Sequence, residues 1–370
     1  MEAAVVIGAN YGDEGKGLIT DYLTALDASN AWAIRFNGGA QAGHTVQRPS
    51  GLRHVFHHFS AGTFAGAKTY LSQFFIANPI LFIEELKKLK SHGYLPKVTI
   101  HPDAMVTTPY DMYINQLFEN SQGKNRHGSC GVGISETVER NLHTSFQFTV
   151  RDLFDQGKLK DKLLNIRDRW LESRLAQLIQ RKLTQDEMNL IFSPTIFEYF
   201  LNNIQDFINY CEVSDHSYSL EKDRLIFEGA QGLLLDQGHQ NFPYVTRSNT
   251  GLQNVSTLAN LQDISHLDIY YVTRCYLTRH GMGPLPNEYP FCPCPYFKDE
   301  TNIPNEFQGR LRFAPLNIEQ LDLEISTDLA KLPKYFSKKV TLAITCLDQF
   351  EEKISVIGKG REIIELTKEE

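Results

Sequence analysis

Several things that would have decided the class of this chain at once are missing from it. No apolar run approaches the roughly 18 residues a membrane helix needs, so no membrane span is expected. Met1-Glu2 leads into a short apolar run with no basic segment before it, so it does not read as a secretory signal. Positive charge is not in excess: 37 Lys and Arg stand against 44 Asp and Glu, a formal charge of −7. A surface that follows a nucleic-acid backbone needs the opposite balance, which excludes nucleic acid as a main partner. A small phosphate needs only a local site and is not excluded. There are six cysteines and no CxxC pair; the nearest two, Cys292 and Cys294, flank Pro293, and two ligands do not make a zinc site. Reduced thiols in a cytoplasm are the expectation. Repeats, low-complexity tracts and a clear linker are also lacking, so residues 1–370 read as one domain.

What is present alternates strand and helix. Ala3 to Ile7 is a continuous apolar run ending at Gly8, the pattern of a buried parallel strand. Leu18, Ile19, Tyr22, Leu23 and Leu26 recur at helical spacing after a turn-rich stretch. Ala31 to Phe36 reads as a second strand, Ile80 to Leu89 as an amphipathic helix, and Lys97 to Ile100 as a strand. Arg151 to about Cys211 reads as mostly helical, with Leu163, Ile166, Trp170 and Leu175 as core candidates. Arg224 to Phe227, Leu267 to Leu277 and Val340 to Thr345 complete the strands, and the proline-rich stretch 284–304 is a loop. Alternation of this kind predicts an α/β fold with a large, mainly parallel central sheet flanked by helices.

The turns between these elements carry the chemistry. Gly12-Asp13-Glu14-Gly15-Lys16-Gly17 lies between the first strand and first helix. Its glycines let backbone N–H groups approach an anion, the helix N-terminus adds partial positive charge and Lys16 a full one. It is not a Walker A loop, which would need glycine at Asn10 and Ser or Thr at Gly17. Gln41-Ala42-Gly43-His44-Thr45 follows the second strand and puts an imidazole where α/β proteins bind ligands. Gly128-Ser129-Cys130-Gly131 is a third glycine turn. Glu228-Gly229-Ala230-Gln231-Gly232, then Pro243 to Thr250, form a fourth cluster in which Gln231 offers bidentate amide contacts. Arg310 and Arg312 alternate in Gly309-Arg310-Leu311-Arg312, as a solvated basic strand or as a clamp for carboxylate or phosphate.

Taken in order, these segments resemble the adenylosuccinate synthetase family along nearly the whole chain. The matching pieces are Gly12 to Gly17, Ala42 to Thr45, Phe227 to Gly232, Pro243 to Thr246 with Ser248 to Thr250, Thr278-Arg279 with Gly283-Pro284, and Gly309-Arg310. The resemblance implies a P-loop-NTPase-like fold and a ligase that joins L-aspartate to C6 of a 6-oxopurine nucleoside monophosphate. A nucleoside triphosphate and Mg²⁺ drive it through a 6-phosphoryl intermediate. By the same resemblance Asp13 is the base at purine N1 and a Mg²⁺ ligand, the Gly43 carbonyl is a second ligand, and His44 donates to O6 or to the phosphoryl group. Lys16 and the amides of Gly12, Glu14, Gly15 and Gly17 stabilise the phosphoryl charge. Gln41, beside Ala42 and Thr45, faces the purine. Ser129, Cys130, Gln231, Thr246 and Arg310 line the monophosphate site. Arg140 reaches the monophosphate of a second subunit, implying a homodimer, and Arg312 faces the triphosphate or the aspartate. The expected location is the cytoplasm, that of a host if the chain is viral.

Departures from the family pattern bear on substrate choice. Thr345-Cys346-Leu347-Asp348 lacks the lysine that precedes Leu-Asp in the guanine-reading segment, and the last base-contacting loop shrinks to 357–361 around Gly358. Both weaken the case for GTP and open ATP or dATP as donor. Phe307-Gln308 replaces the Thr-Thr pair of the aspartate loop, Gln41 replaces Asn, and Cys130 replaces Thr. Compact viral relatives act on dGMP, and some replace the loop aspartate by serine. Here Asp13 is kept, which favours IMP or dIMP, whereas the short length and altered base loop favour GMP or dGMP. A nucleotide sensor that kept the scaffold and lost turnover is the alternative from another class.

Overall fold

A computed structural model describes residues 1–27, 30–123, 128–215, 224–294, 297, 309–350, 353–358, 360 and 362–367. Its centre is a sheet of eight strands, all parallel where they pair. Across the sheet they run Ser337–Thr345, His266–Arg274, Glu2–Gly8, Arg224–Glu228, Ala31–Arg35, Lys68–Leu71, Val98–Ile100 and Glu212–Val213. Glu2–Gly8 is buried from Ala3 onward and Ala31–Arg35 throughout. This is what a continuous apolar run becomes when helices cover both faces of a parallel sheet.

The topology places the functional loops. Chain reversals after Gly8, Arg35, Glu228, Arg274 and Thr345 all leave the carboxyl ends of five neighbouring strands. In open parallel sheets that edge is where ligands bind. One core cluster joins the faces of these strands, with Ile34, Phe36, Phe227 and Tyr271, to the helix Leu252–Asn260. A second is built around Phe56, Phe59 and Phe82 and reaches through Leu163, Ile166 and Trp170 to the helix Pro194–Tyr210. The expected core residues of the helical region, Leu175 included, are all buried. No helix among the described residues is long and apolar enough to cross a membrane.

Two expectations need correction. The run from Leu267 to Leu277 is two strands, not one. His266–Arg274 belongs to the central sheet, whereas Tyr276–Arg279 pairs antiparallel with Arg312–Asn317 in a separate four-stranded sheet. The break falls at Cys275, whose N–H donates to the Thr345 carbonyl just past the last register pair, Arg274 with Thr345. The expected basic strand at 309–312 begins only at Arg312; Gly309 sits at φ +70°, and Arg310 is exposed before the strand starts.

Phe227 is fully buried and meets Phe36 edge-on, with ring centroids 6.4 Å apart. Phe227→Ala should therefore cost about 3–5 kcal/mol, read by chemical denaturation.

Candidate active site

Lys16 opens the helix Lys16–Ala25, and the Gly15 that precedes it lies at φ +90°, a left-handed turn that brings the loop back over the sheet edge. Asp13 and Gln231 adopt φ of 56° and 57°, which non-glycine residues seldom do and which functional sites accumulate. The three main loops touch. A side chain at Gly17 would begin 3.0 Å from His44 Cβ, and one at Gly12 would begin 3.5 Å from Gln231 Cα. One at Gly38 would meet Gln231 Oε1 at 3.2 Å and Gln41 Nε2 at 3.6 Å. The phosphate-type loop, the histidine loop and the Gln231 loop thus converge on one spot.

The electrostatics of that spot are set by burial. His44 begins the strand His44–Gln47, is buried, and places Nδ1 2.5 Å from Glu228 Oε1. Burial drives the His44 imidazole down to about 4, although the Glu228 carboxylate pulls the other way. Burial would lift Glu228, but Arg35 and His44 together hold it below the usual carboxylate range. The imidazole is therefore neutral, its Nδ1–H donating to an ionised Glu228 and its Nε2 bare. Glu14 is buried, and burial raises its carboxyl to about 7 against the pull of Lys16. One of its oxygens accepts from the Asn10 N–H at 2.6 Å. Burial also lowers the Lys16 ammonium. The side chains share the space over Gly8, where any larger residue would strike both Glu14 Oε2 and Lys16 Nζ.

Asp13 keeps partial exposure, and its Oδ2 lies 3.4 Å from His280 Nε2. Its carbonyl accepts from the Arg274 guanidinium. Thr345 Oγ1 donates to the Glu14 carbonyl at 2.9 Å, so the 345–348 segment abuts the same loop, with Asp348 exposed at its turn. Arg279 stacks over Tyr11 at 4.4 Å and donates to the carbonyls of Tyr244 and Pro284. The Gly38 N–H donates to Ser248 Oγ, and the Thr246 N–H donates to the Leu235 carbonyl, which holds the 243–250 loop beside the histidine loop. Ser129 and Cys130 lie one layer out. Ser129 pairs with Asn115, and burial raises the Cys130 thiol. Ile134, which starts the next helix, reaches the space over Gly39. Most telling are three amide atoms shielded from solvent without a hydrogen-bond partner: Gln41 Nε2, Gln41 Oε1 and Gln231 Oε1. Buried polar atoms left this way mark a place for a ligand.

Other expected site residues are used up inside the chain. Arg140 is fully buried; its Nε and Nη2 bind both oxygens of Asp111, and its remaining donors go to the carbonyls of Phe146 and Val106. Arg312 spends its donors on Glu288 and on the carbonyls of Gly281 and Gly283, which leaves no free clamp. Gly358 is buried, and its N–H donates to the Glu362 carbonyl. Gln308 and Phe307 lie outside the described residues. The sequence reading gave no role to Glu228, Arg35, His280 or Arg274. The signal for the first two was there: a charge closing an apolar run, Ala31 to Ile34 before Arg35 and Leu225 to Phe227 before Glu228.

A parallel α/β sheet whose carboxyl edge holds a glycine-rich anion loop, a buried His–carboxylate pair and unpaired amides defines a nucleotide-handling class of protein. A family profile described as adenylosuccinate synthetase matches residues 5–309. The chain belongs to the adenylosuccinate synthetase family. It is 29% identical over 295 residues to the adenylosuccinate synthetase of Mycobacterium sp. (strain KMS), covering 78% of this chain and 65% of that protein. To that of Clostridium botulinum (strain Eklund 17B / Type B) it is 32% identical over 295 residues, covering 78% and 66%. The chain thus spans about two thirds of the length of the curated relatives it matches. Its fold is that of the fully ligated adenylosuccinate synthetase from Plasmodium falciparum, with a TM-score of 0.69 at 20% identity over 98% of this chain and 82% of that one. The succinoaminodeoxyadenylate synthetase of cyanophage S-2L, solved with dGMP and dATP, is also similar in fold, at TM-score 0.55 and 15% identity over 92% and 84%.

Arg140→Met strands the Asp111 carboxylate in the core and should cost about 3–5 kcal/mol in denaturation. Specific turnover of the folded fraction should stay within about threefold, since the lost contacts are internal.

Proposed function

We propose that the chain is a ligase that joins L-aspartate to C6 of a 6-oxopurine nucleoside monophosphate, driven by a nucleoside triphosphate, to give an N6-succinyl purine nucleotide. The observation that supports this most directly is the short His44–Glu228 contact beside the Lys16 loop, opposite the unpaired amides of Gln41 and Gln231. The purine oxygen is a poor nucleophile until N1 loses its proton, so a carboxylate base is required. Asp13 is the partly exposed carboxylate on the loop and takes that role. His44 has its Nε2 lone pair available before substrate arrives. An anionic oxygen settling beside it favours uptake of a solvent proton at Nε2; Glu228 stabilises the resulting imidazolium from behind, and the imidazolium donates to O6. Lys16 and the loop amides hold the charge that spreads over the transferring phosphoryl oxygens.

The donor set at the loop is oxygen: the Asp13 carboxylate and the carbonyl of Gly43 on an exposed turn. Hard oxygen ligands suit Mg²⁺, which binds through one or two carboxylates and completes its shell with phosphates and water. No cluster of three or more His, Cys, Asp or Glu side chains able to hold a metal occurs among the described residues. When bound, Mg²⁺ neutralises phosphate charge.

For the acceptor base, two carbonyl oxygens without a partner, Gln41 Oε1 and Gln231 Oε1, favour a purine that brings donors to them. Guanine offers N1–H and a 2-amino group where hypoxanthine offers N1–H alone. Leaving a buried acceptor unpaired costs about 1–3 kcal/mol, which would give a 2-amino-6-oxopurine an advantage of roughly tenfold.

Purified protein should release phosphate only when Mg²⁺, L-aspartate, a triphosphate and a 6-oxopurine monophosphate are all present. A matrix of IMP, dIMP, GMP and dGMP against ATP, dATP and GTP, read by product mass, fixes both substrates. Asp13→Ala and His44→Ala should each lower turnover by about 10²-fold or more. Phosphate release without aspartate would point to a kinase or GTPase, and binding without release to a sensor. Either result would sink the ligase reading.

A further inference from the structure

Two consecutive carbonyls of the glycine loop are held from outside it. The Arg274 guanidinium donates through Nε to the Asp13 carbonyl. Thr345 Oγ1 donates to the Glu14 carbonyl at 2.9 Å, with the Thr273 carbonyl farther off at 3.3 Å. Both donors close strands of the central sheet, and they are register partners there. Arg274 is itself fixed: its guanidinium lies over the Tyr276 ring, 5.6 Å from the centroid, and Nη1 donates to the Tyr276 hydroxyl at 3.0 Å. Tyr276 is buried, and its hydroxyl donates to Gln349 Oε1 at 2.5 Å. The loop needs such holding, because Gly12, Asp13 and Gly15 lie at φ of 88°, 56° and 90°, and Asp13 has a side chain to accommodate. A trans peptide carries its C=O and N–H on opposite sides. Tying the Asp13 carbonyl to Arg274 therefore turns the Glu14 N–H to the other side of the loop, and tying the Glu14 carbonyl to Thr345 does the same for the Gly15 N–H. Neither N–H is taken by an acceptor among the described residues.

We propose that Arg274 and Thr345 are positioning residues for the anion loop: by holding the carbonyls of Asp13 and Glu14, they aim the N–H groups of Glu14 and Gly15 at a polyphosphate. Neither side chain touches the ligand in this role. Amide dipoles already turned toward an anion stabilise a transferring phosphoryl group without having to reorganise first. A peptide plane turns over by changing only the two torsions that flank it. Without its outside bond, either peptide can then present its carbonyl oxygen, the wrong end of the dipole, to the anion. The positive charge of Arg274 alone would not produce this arrangement, because Thr345 does for the second peptide what Arg274 does for the first and carries no charge.

The test uses the full chain, sodium tripolyphosphate and NMR. Carbonyl-¹³C aspartate with ¹⁵N glutamate marks three peptides, 13–14, 186–187 and 299–300, and carbonyl-¹³C glutamate with ¹⁵N glycine marks two, 14–15 and 228–229. The 13–14 signal is identified by its loss in Asp13→Asn and the 14–15 signal by its loss in Glu14→Gln. In wild type the anion should shift the N–H signals of Glu14 and Gly15. Arg274→Met should lose chiefly the Glu14 response and Thr345→Val chiefly that of Gly15, and Thr345→Ser, which restores the hydroxyl, should recover it. A folded variant whose own peptide responds as in wild type overturns the proposal. So does one in which both peptides lose their response alike, the mark of a collapsed loop rather than a turned peptide. Should Arg274→Met fail to fold, Thr345→Val, nearly the same shape as the native residue, decides by the same outcomes. Only the kinetic arm rests on the ligase reading. There Arg274→Met and Thr345→Val should each lower kcat by roughly tenfold with KM for the purine monophosphate within about twofold, and Thr345→Ser should regain most of the loss. Wild type that shows both shifts but no turnover sinks the ligase reading and leaves the proposal standing; wild type that shows neither shift overturns the proposal.

Discussion

Charge buried at the carboxyl edge of the central sheet is the constraint on which the rest of the site depends. Glu14, Lys16, Arg35 and Glu228 are all nearly or wholly removed from solvent within a few residues of strand ends. Each alone would be prohibitive; together they compensate one another. The cost explains why the loops around them are rich in glycine. Any side chain at Gly8 would strike Glu14 and Lys16, and one at Gly38 would strike the Ala230 Cβ at 2.7 Å. The backbone must come close because the charges need its N–H groups: Asn10 for Glu14 and Ala61 for Glu228. Stability is spent here on holding charges in place before a substrate supplies its own.

The outline of this arrangement could be read from the chain itself. A short apolar run, then a glycine loop, then helical spacing is a strand feeding an anion site, and the structure has it at Glu2–Gly8 and Lys16–Ala25. Strand order across a sheet is not written locally, yet it is what brings the loops after Gly8, Arg35 and Glu228 together. Composition gives a residue's chemistry but not who claims it. Arg140 and Arg312 illustrate the difference: both have the right chemistry for a phosphate or a carboxylate, and both are fully engaged by their own chain. Conversely, Arg35 looked like an ordinary strand terminus until the register put Glu228 beside it. The division at Cys275 was equally hidden, because the residues on either side have the same strand-like composition and differ only in which sheet they join.

The neutral state of His44 changes how its role must be understood. An imidazole described as a donor to the purine oxygen would need its proton on the outward nitrogen. With Glu228 held ionised, the short contact to it takes that proton on the inward nitrogen. The two are reconciled if the outward nitrogen becomes protonated only as negative charge develops next to it. Such an arrangement favours the charged transition state over the uncharged ground state, and only interactions of that kind accelerate a reaction. A permanently protonated histidine would bind the triphosphate tightly from the start and gain less at the barrier.

Specificity follows a different logic from catalysis in the same cleft. Charged groups there are compensated within the protein, so they exert a field but do not discriminate between bases of equal charge. Besides Glu14 Oε2 and the Arg35 guanidinium, the buried atoms without partners there include the neutral amides of Gln41 and Gln231, and Gln231 has a left-handed backbone conformation. A base that satisfies them recovers the cost of their burial, and a base lacking one matching group does not. In the proposed ligase, charges would set the rate and amides the choice of substrate. On that proposal, shortening the Gln41 amide by one methylene would shift substrate preference and leave the His44–Glu228 contact in place.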